Sequence, residues 1–140
     1  IPALGMYAKK IDYIDDYLYY YVIRSGSIMN QVKYKKSFED IFDSLDTLRN
    51  RFISNNKYDL YKDEIEYIYI EHLLHAASLR FFKFKKYNEL ERIVKIIKEE
   101  FPNWKKNRYF KNTNIKYRVV CILFYKKYYW LLKIVLKESK

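Results

Sequence analysis

The stretch LYKDEIEYIYIEHLLHAASLRFFK, Leu60–Lys83, decides the fold class. It runs without a glycine or proline, and apolar side chains occupy much of its helical circumference. That pattern belongs to a helix surrounded by other helices. The segments on either side each carry one apolar face at helical spacing. In SFEDIFDSLDTLRNRF (37–52) the apolar residues fall at 38, 41, 42, 45, 48 and 52. Ser37 with Asp40 is expected to cap its start, and SNNK (54–57) to end it. YNELERIVKIIKEEF (87–101) repeats at 87, 90, 93/94, 97 and 101, and Pro102 closes it. NWKKNRYFKNTN (103–114) reads as a polar, basic connection, followed by a last helix over about Ile115–Lys137. The expectation is a mainly α helical bundle.

Its 140 residues are enough for one domain with a real core. Two glycines and two prolines exclude a turn-rich sandwich or barrel. The lone cysteine, Cys121 in VVCILF, excludes a disulfide framework and points to a reducing compartment. It reads as a small buried hydrophobe rather than a nucleophile. No signal peptide is visible in IPALGMYAKK (1–10), which resembles the end of a helix. Lacking an initiator methionine, the chain is expected to be a piece of a longer protein.

The net charge of +11 is unevenly spread. Residues 1–103 hold 17 basic and 16 acidic side chains; residues 104–140 hold 11 basic ones against Glu138 alone. Such a surplus calls for an anionic partner or a well-solvated face.

Between Ile11 and Arg24 the β-formers Ile, Tyr and Val crowd together around Asp15-Asp16. Two short strands, about 11–15 and 18–24, are expected there, ended by SGS (25–27). The order AKKIDYIDDYLYYYVIRSGSIM (Ala8–Met29) resembles the segment that closes the catalytic domain of bacterial family 2 glycosyltransferases of the GT-A fold. In those enzymes a helix ending A-K-K-I leads to Y-I-D-x-x-L-Y-Y-Y and then R-x-x-S-I-M. The match covers about the first 30 residues closely. EDIFDSLDTL and PNWKKNRYF resemble the tails of capsule or exopolysaccharide members more loosely.

The resemblance implies that residues 1–30 end a GT-A-like catalytic domain, as a helix plus a strand pair, and that 31–140 form a C-terminal helical region. The implied parent transfers a sugar from a nucleotide donor to a glycan or lipid-linked acceptor, with Mg or Mn on the diphosphate. The family's nucleotide-binding strands, Asp-x-Asp metal motif and catalytic base would precede Ile1. This chain is therefore expected to hold no catalytic residue and to be inactive alone. Arg24, with Ser25 and Ser27 beside it, suits a donor diphosphate. Turn chemistry alone favours another reading, in which Arg24 pairs with Asp15 or Asp16 and Ser27 caps the next element.

Two further clusters read as structural. In EHLLH, His72 and His75 stand three apart with Glu71 before them. The metalloprotease helix places its two histidines four apart, so packing histidines are expected here and no metal. Asp12, Asp15 and Asp16 read as a solvated turn.

The last helix is the strongest local functional signal. Drawn as one continuous helix, it places Lys116, Lys126, Lys127, Lys133 and Lys137 within an arc of about 120°. Arg118 stands outside the arc, and aromatic and aliphatic residues, Trp130 among them, fill the rest. A basic arc beside an apolar face suits a helix lying on an anionic membrane, on the cytoplasmic inner face of the cell membrane. The competing reading is a core helix with a solvated lysine edge. A helical interaction module, forming homodimers through this helix, is a second class of function. A third is nucleic-acid binding through Trp104, Tyr109, Phe110 and Tyr117; it is disfavoured because no reading motif is present.

Overall fold

The structure is a computed structural model that describes residue 5 and residues 7–10, 12–20 and 33–137. A 3-10 turn, Lys36–Glu39, leads into α1, Asp40–Ser54. The next helix is continuous in three parts: α2 (Lys62–Ile68), a π-helical segment (Tyr69–Ala77) and α3 (Ser78–Lys83). Then come α4 (Tyr87–Glu100), the short α5 (Arg108–Lys111), α6 (Ile115–Tyr125) and α7 (Tyr129–Lys137).

The π segment is the hub, packing against α1, α4 and α6 as well as its own continuations. Tyr69, Ile70, Leu73, Leu74 and Ala77 are all buried in it. Their spacing repeats every four residues, so on an ordinary helix the stripe would drift around the axis. The segment instead closes i→i+5 turns, as in the bond from the Ser78 amide to the Leu73 carbonyl. Around the hub, Phe42, Leu45 and Phe52 point in from α1, and Leu90, Ile93 and Ile97 from α4. Val120, Cys121 and Phe124 come from α6, and Leu132 from α7.

Three helix ends share one device. Asn56, Lys85 and Lys127 adopt the left-handed conformation, with φ of 53°, 56° and 58°. After each, the next amide reaches back to the carbonyl five residues earlier: Lys57 to Phe52, Lys86 to Phe81 and Tyr128 to Leu123, all at 2.9 Å. These are Schellman caps built without glycine.

The last of them corrects the expectation of a single helix over 115–137. The chain turns at Lys126–Tyr128, and α7 starts in a new direction set by that cap. The five-lysine arc is split accordingly. Lys116 and Lys126 go with α6, Lys133 and Lys137 with α7, and Lys127 sits in the turn.

Two other expectations are also corrected. Ser37 does not cap α1, because the 3-10 turn occupies that place and the N-cap, Glu39, makes no side-chain cap bond. The strand pair is absent from the described residues: 12–20 form no ladder, and a local backbone bond runs from the Leu18 amide to the Asp16 carbonyl. β-forming side chains make a strand only when a neighbouring strand pairs with them. Residues 21–24 of the expected second strand lie outside the described residues.

Candidate functional site

The region expected to be a basic linker is a built corner of the fold. Trp104 starts a 3-10 turn and is 1% exposed, its ring 4.8 Å from Phe110 and 5.4 Å from Tyr125. Asn107 is buried, and its side chain makes four hydrogen bonds. Its Oδ1 accepts from the Tyr109 and Phe110 amides, capping α5, while its Nδ2 donates to the Asp63 carbonyl and to Glu66 Oε2, both at 2.8 Å. Burial raises the Glu66 pKa, and the Asn107 bond opposes that shift. Outside it, Arg108 and the Tyr109 hydroxyl both bond Glu64. The sequence signal was the residue type alone: asparagine is a favoured N-cap.

This corner also accounts for the four aromatics weighed for nucleic-acid stacking. Trp104 and Phe110 are in the core. Tyr109 is covered by Tyr67 and by the Arg108 guanidinium, and Tyr117 stacks on His75 at 4.2 Å. Base stacking needs an open ring face.

His75 lies half-buried on the π segment, whereas His72 is exposed. Among the described residues no group of three His, Cys, Asp or Glu is gathered as a metal site. Burial lowers the His75 pKa from its ordinary 6.5, and Glu71 partly opposes this. The unfolded chain therefore takes up a proton at higher pH than the folded one. Stability should fall as pH drops below about 6.5, towards the lower folded value. Melting temperatures at pH 7.5 and 5.5 check this, and His75→Asn should flatten the difference. An unchanged slope would mean that His75 titrates alike in both states. Cys121 is fully buried and its thiol is pushed up to about 12 by burial, which leaves it no thiolate at neutral pH.

The membrane-surface residues fall into a shorter patch than the continuous wheel implied. On α7, Leu132 is buried while Trp130, Lys133 and Ile134 are exposed, and Trp130 is 65% exposed. Tyr128 and Lys126, in the preceding turn, are exposed too. Lys127 instead pairs with Glu91 of α4 at 3.2 Å. Lys137 closes α7, and Lys116 lies near the start of α6. No helix of the described residues is long and apolar enough to cross a membrane.

At the other end of the chain, Tyr13, Ile14, Tyr17, Leu18, Tyr19 and Tyr20 are exposed, Tyr17 at 97%. Asp12, Asp15 and Asp16 are exposed with them. Tyr7 ties this arm to the end of α1 through a bond from its hydroxyl to Asn55. The donor-diphosphate candidates Arg24, Ser25 and Ser27 lie outside the described residues. No protein-family model, curated protein or solved structure matches the chain.

Proposed function

We propose that this chain is the non-catalytic C-terminal part of a family 2 glycosyltransferase, and that its helical body docks the enzyme on an anionic membrane surface. The parent would transfer a sugar from a nucleotide donor to a glycan or lipid-linked acceptor in cell-surface polysaccharide synthesis. Donor binding, the Mg or Mn ion and the catalytic base belong to residues before Ile1, with Arg24, Ser25 and Ser27 reaching the diphosphate.

The observation that carries the docking half is the exposed face of α7. Trp130 and Ile134 are large apolar side chains left uncovered, with Lys133 on the same helix turn, Lys126 exposed at the end of α6, and no acid on α7 between Tyr129 and Lys137. An interfacial ring, an aliphatic anchor and flanking cations are what a headgroup layer holds. Each cation near an anionic leaflet contributes about 1 kcal/mol, less in high salt. The chain is expected to float with phosphatidylglycerol vesicles, to dissociate in high salt, and to lose binding in a Lys126→Glu/Lys133→Glu variant. Equal flotation with zwitterionic vesicles would reduce the contact to a hydrophobic one. A concentration-dependent dimer without flotation would assign the face to a second copy.

The parent class rests on the motif from Ala8 to Met29. The uncovered tyrosines of 12–20 support it, because such side chains call for a covering surface, and in the resembled fold this segment packs on the catalytic sheet. The pure chain with Mg²⁺ or Mn²⁺ is expected to leave nucleotide sugars intact. Turnover by it would place an active site within these residues.

A further inference from the structure

We propose that the groove between α5 and α6 holds the headgroup and upper acyl chain of one anionic phospholipid. This deepens the membrane-docking reading and rests on it. The groove has a volume of about 330 Å³, towards the lower end for small-molecule sites. Its floor is Phe110 from α5 with Ile115, Val119 and Ile122 of α6, which stand at i, i+4 and i+7 on one helical face. Ile115 is 71% exposed and Val119 is also exposed. An acyl chain laid on this stripe would remove apolar surface from water.

The rim is cationic. Lys105, Lys111 and Arg118 line it, and no acidic residue does. None of the three takes part in an ion pair among the described residues. The Lys105 ammonium sits over the rings of Trp104 and Tyr125, at 5.7 and 5.4 Å, which holds it at one edge. Arg118 is half-buried, and its planar fork suits the two free oxygens of a phosphodiester.

Charge complementarity selects the occupant. A second groove of the same size, beside Asn107, is lined by Asp63, Glu66 and Glu100 as well as lysines, and would repel an anion. The α5–α6 groove pairs an acid-free cationic rim with an apolar floor, so it fits a ligand that is anionic at one end and aliphatic at the other. Inorganic phosphate or an acidic peptide meets only the rim.

The test is an NMR titration of the isotope-labelled full chain with monomeric dihexanoylphosphatidylglycerol. Saturable shifts are expected at Lys111, Ile115, Arg118, Val119 and Ile122. Lys111→Glu/Arg118→Glu should weaken binding about tenfold or more. Val119→Asp, at an exposed position that leaves the core intact, should abolish it. A Trp130→Ala/Ile134→Ser variant should keep these shifts while losing flotation, which separates the groove from the α7 face. A wild type that floats but shows no saturable groove shifts overturns the groove and leaves the docking reading standing. A wild type that does not float removes the docking reading itself. Equal shifts from inorganic phosphate, polyglutamate or dihexanoylphosphatidylcholine would also overturn the groove. So would a dimer that protects the same amides.

Discussion

Alanine at position 104 is expected to destabilise the fold by about 3–5 kcal/mol, the usual range for emptying a buried tryptophan site. Trp104 is buried between α5 and the end of α6, touching Phe110 and Tyr125. Urea denaturation measures the loss. Trp130→Ala, on the exposed side of α7, should stay within about 0.5 kcal/mol. The contrast separates the two tryptophans of the chain by role. A Trp104→Ala protein of unchanged stability would put that ring back on the surface and reopen it as a stacking platform.

Asn107→Asp should cost about 3 kcal/mol near neutral pH, although the shape hardly changes. The amide's two donated bonds, to the Asp63 carbonyl and to Glu66, are lost, and the new carboxylate faces the Glu66 carboxylate in a part-buried site. The Oδ1 cap on α5 is retained, so the loss reads the cross-link between α2 and α5 alone. Acid should restore part of it, because a protonated carboxyl can again donate to Glu66. The deficit of the variant should therefore shrink as pH falls below about 5. A deficit independent of pH would mean that the two carboxyls do not meet.

The bundle was legible where burial follows the helical period. Phe42, Leu45 and Phe52 of α1, and Leu90, Ile93 and Ile97 of α4, lie in the core at the positions their spacing indicates. The central helix was legible as central, but its π turn was not. A four-residue stripe in so apolar a segment is hard to tell from a helix buried on all sides. The turn at Lys127 was hidden for a different reason. Left-handed caps are normally announced by glycine or asparagine, whereas this chain uses lysine at positions 85 and 127. The lysines around Trp104 and Phe110 masked two core residues, because composition averages over a segment and burial does not. The strand reading of 11–24 rested on β-forming side chains alone, and the described part of that segment has no strand beside it. Of the candidate site, the cations and Trp130 could be read as residue types. Their grouping depended on the cap at Lys127, which no helical wheel contains.

The most direct test of membrane docking uses the two tryptophans as internal reporter and control. The full chain is mixed with phosphatidylglycerol vesicles whose acyl chains carry bromine, and tryptophan emission is recorded as lipid is added. The account predicts that the emission of Trp130 is quenched in low salt and recovers in high salt. It also predicts that a Trp130→Phe protein, which retains only the buried Trp104, is quenched far less. An unquenched wild type, or equal quenching by brominated phosphatidylcholine, would contradict docking of α7 on an anionic surface.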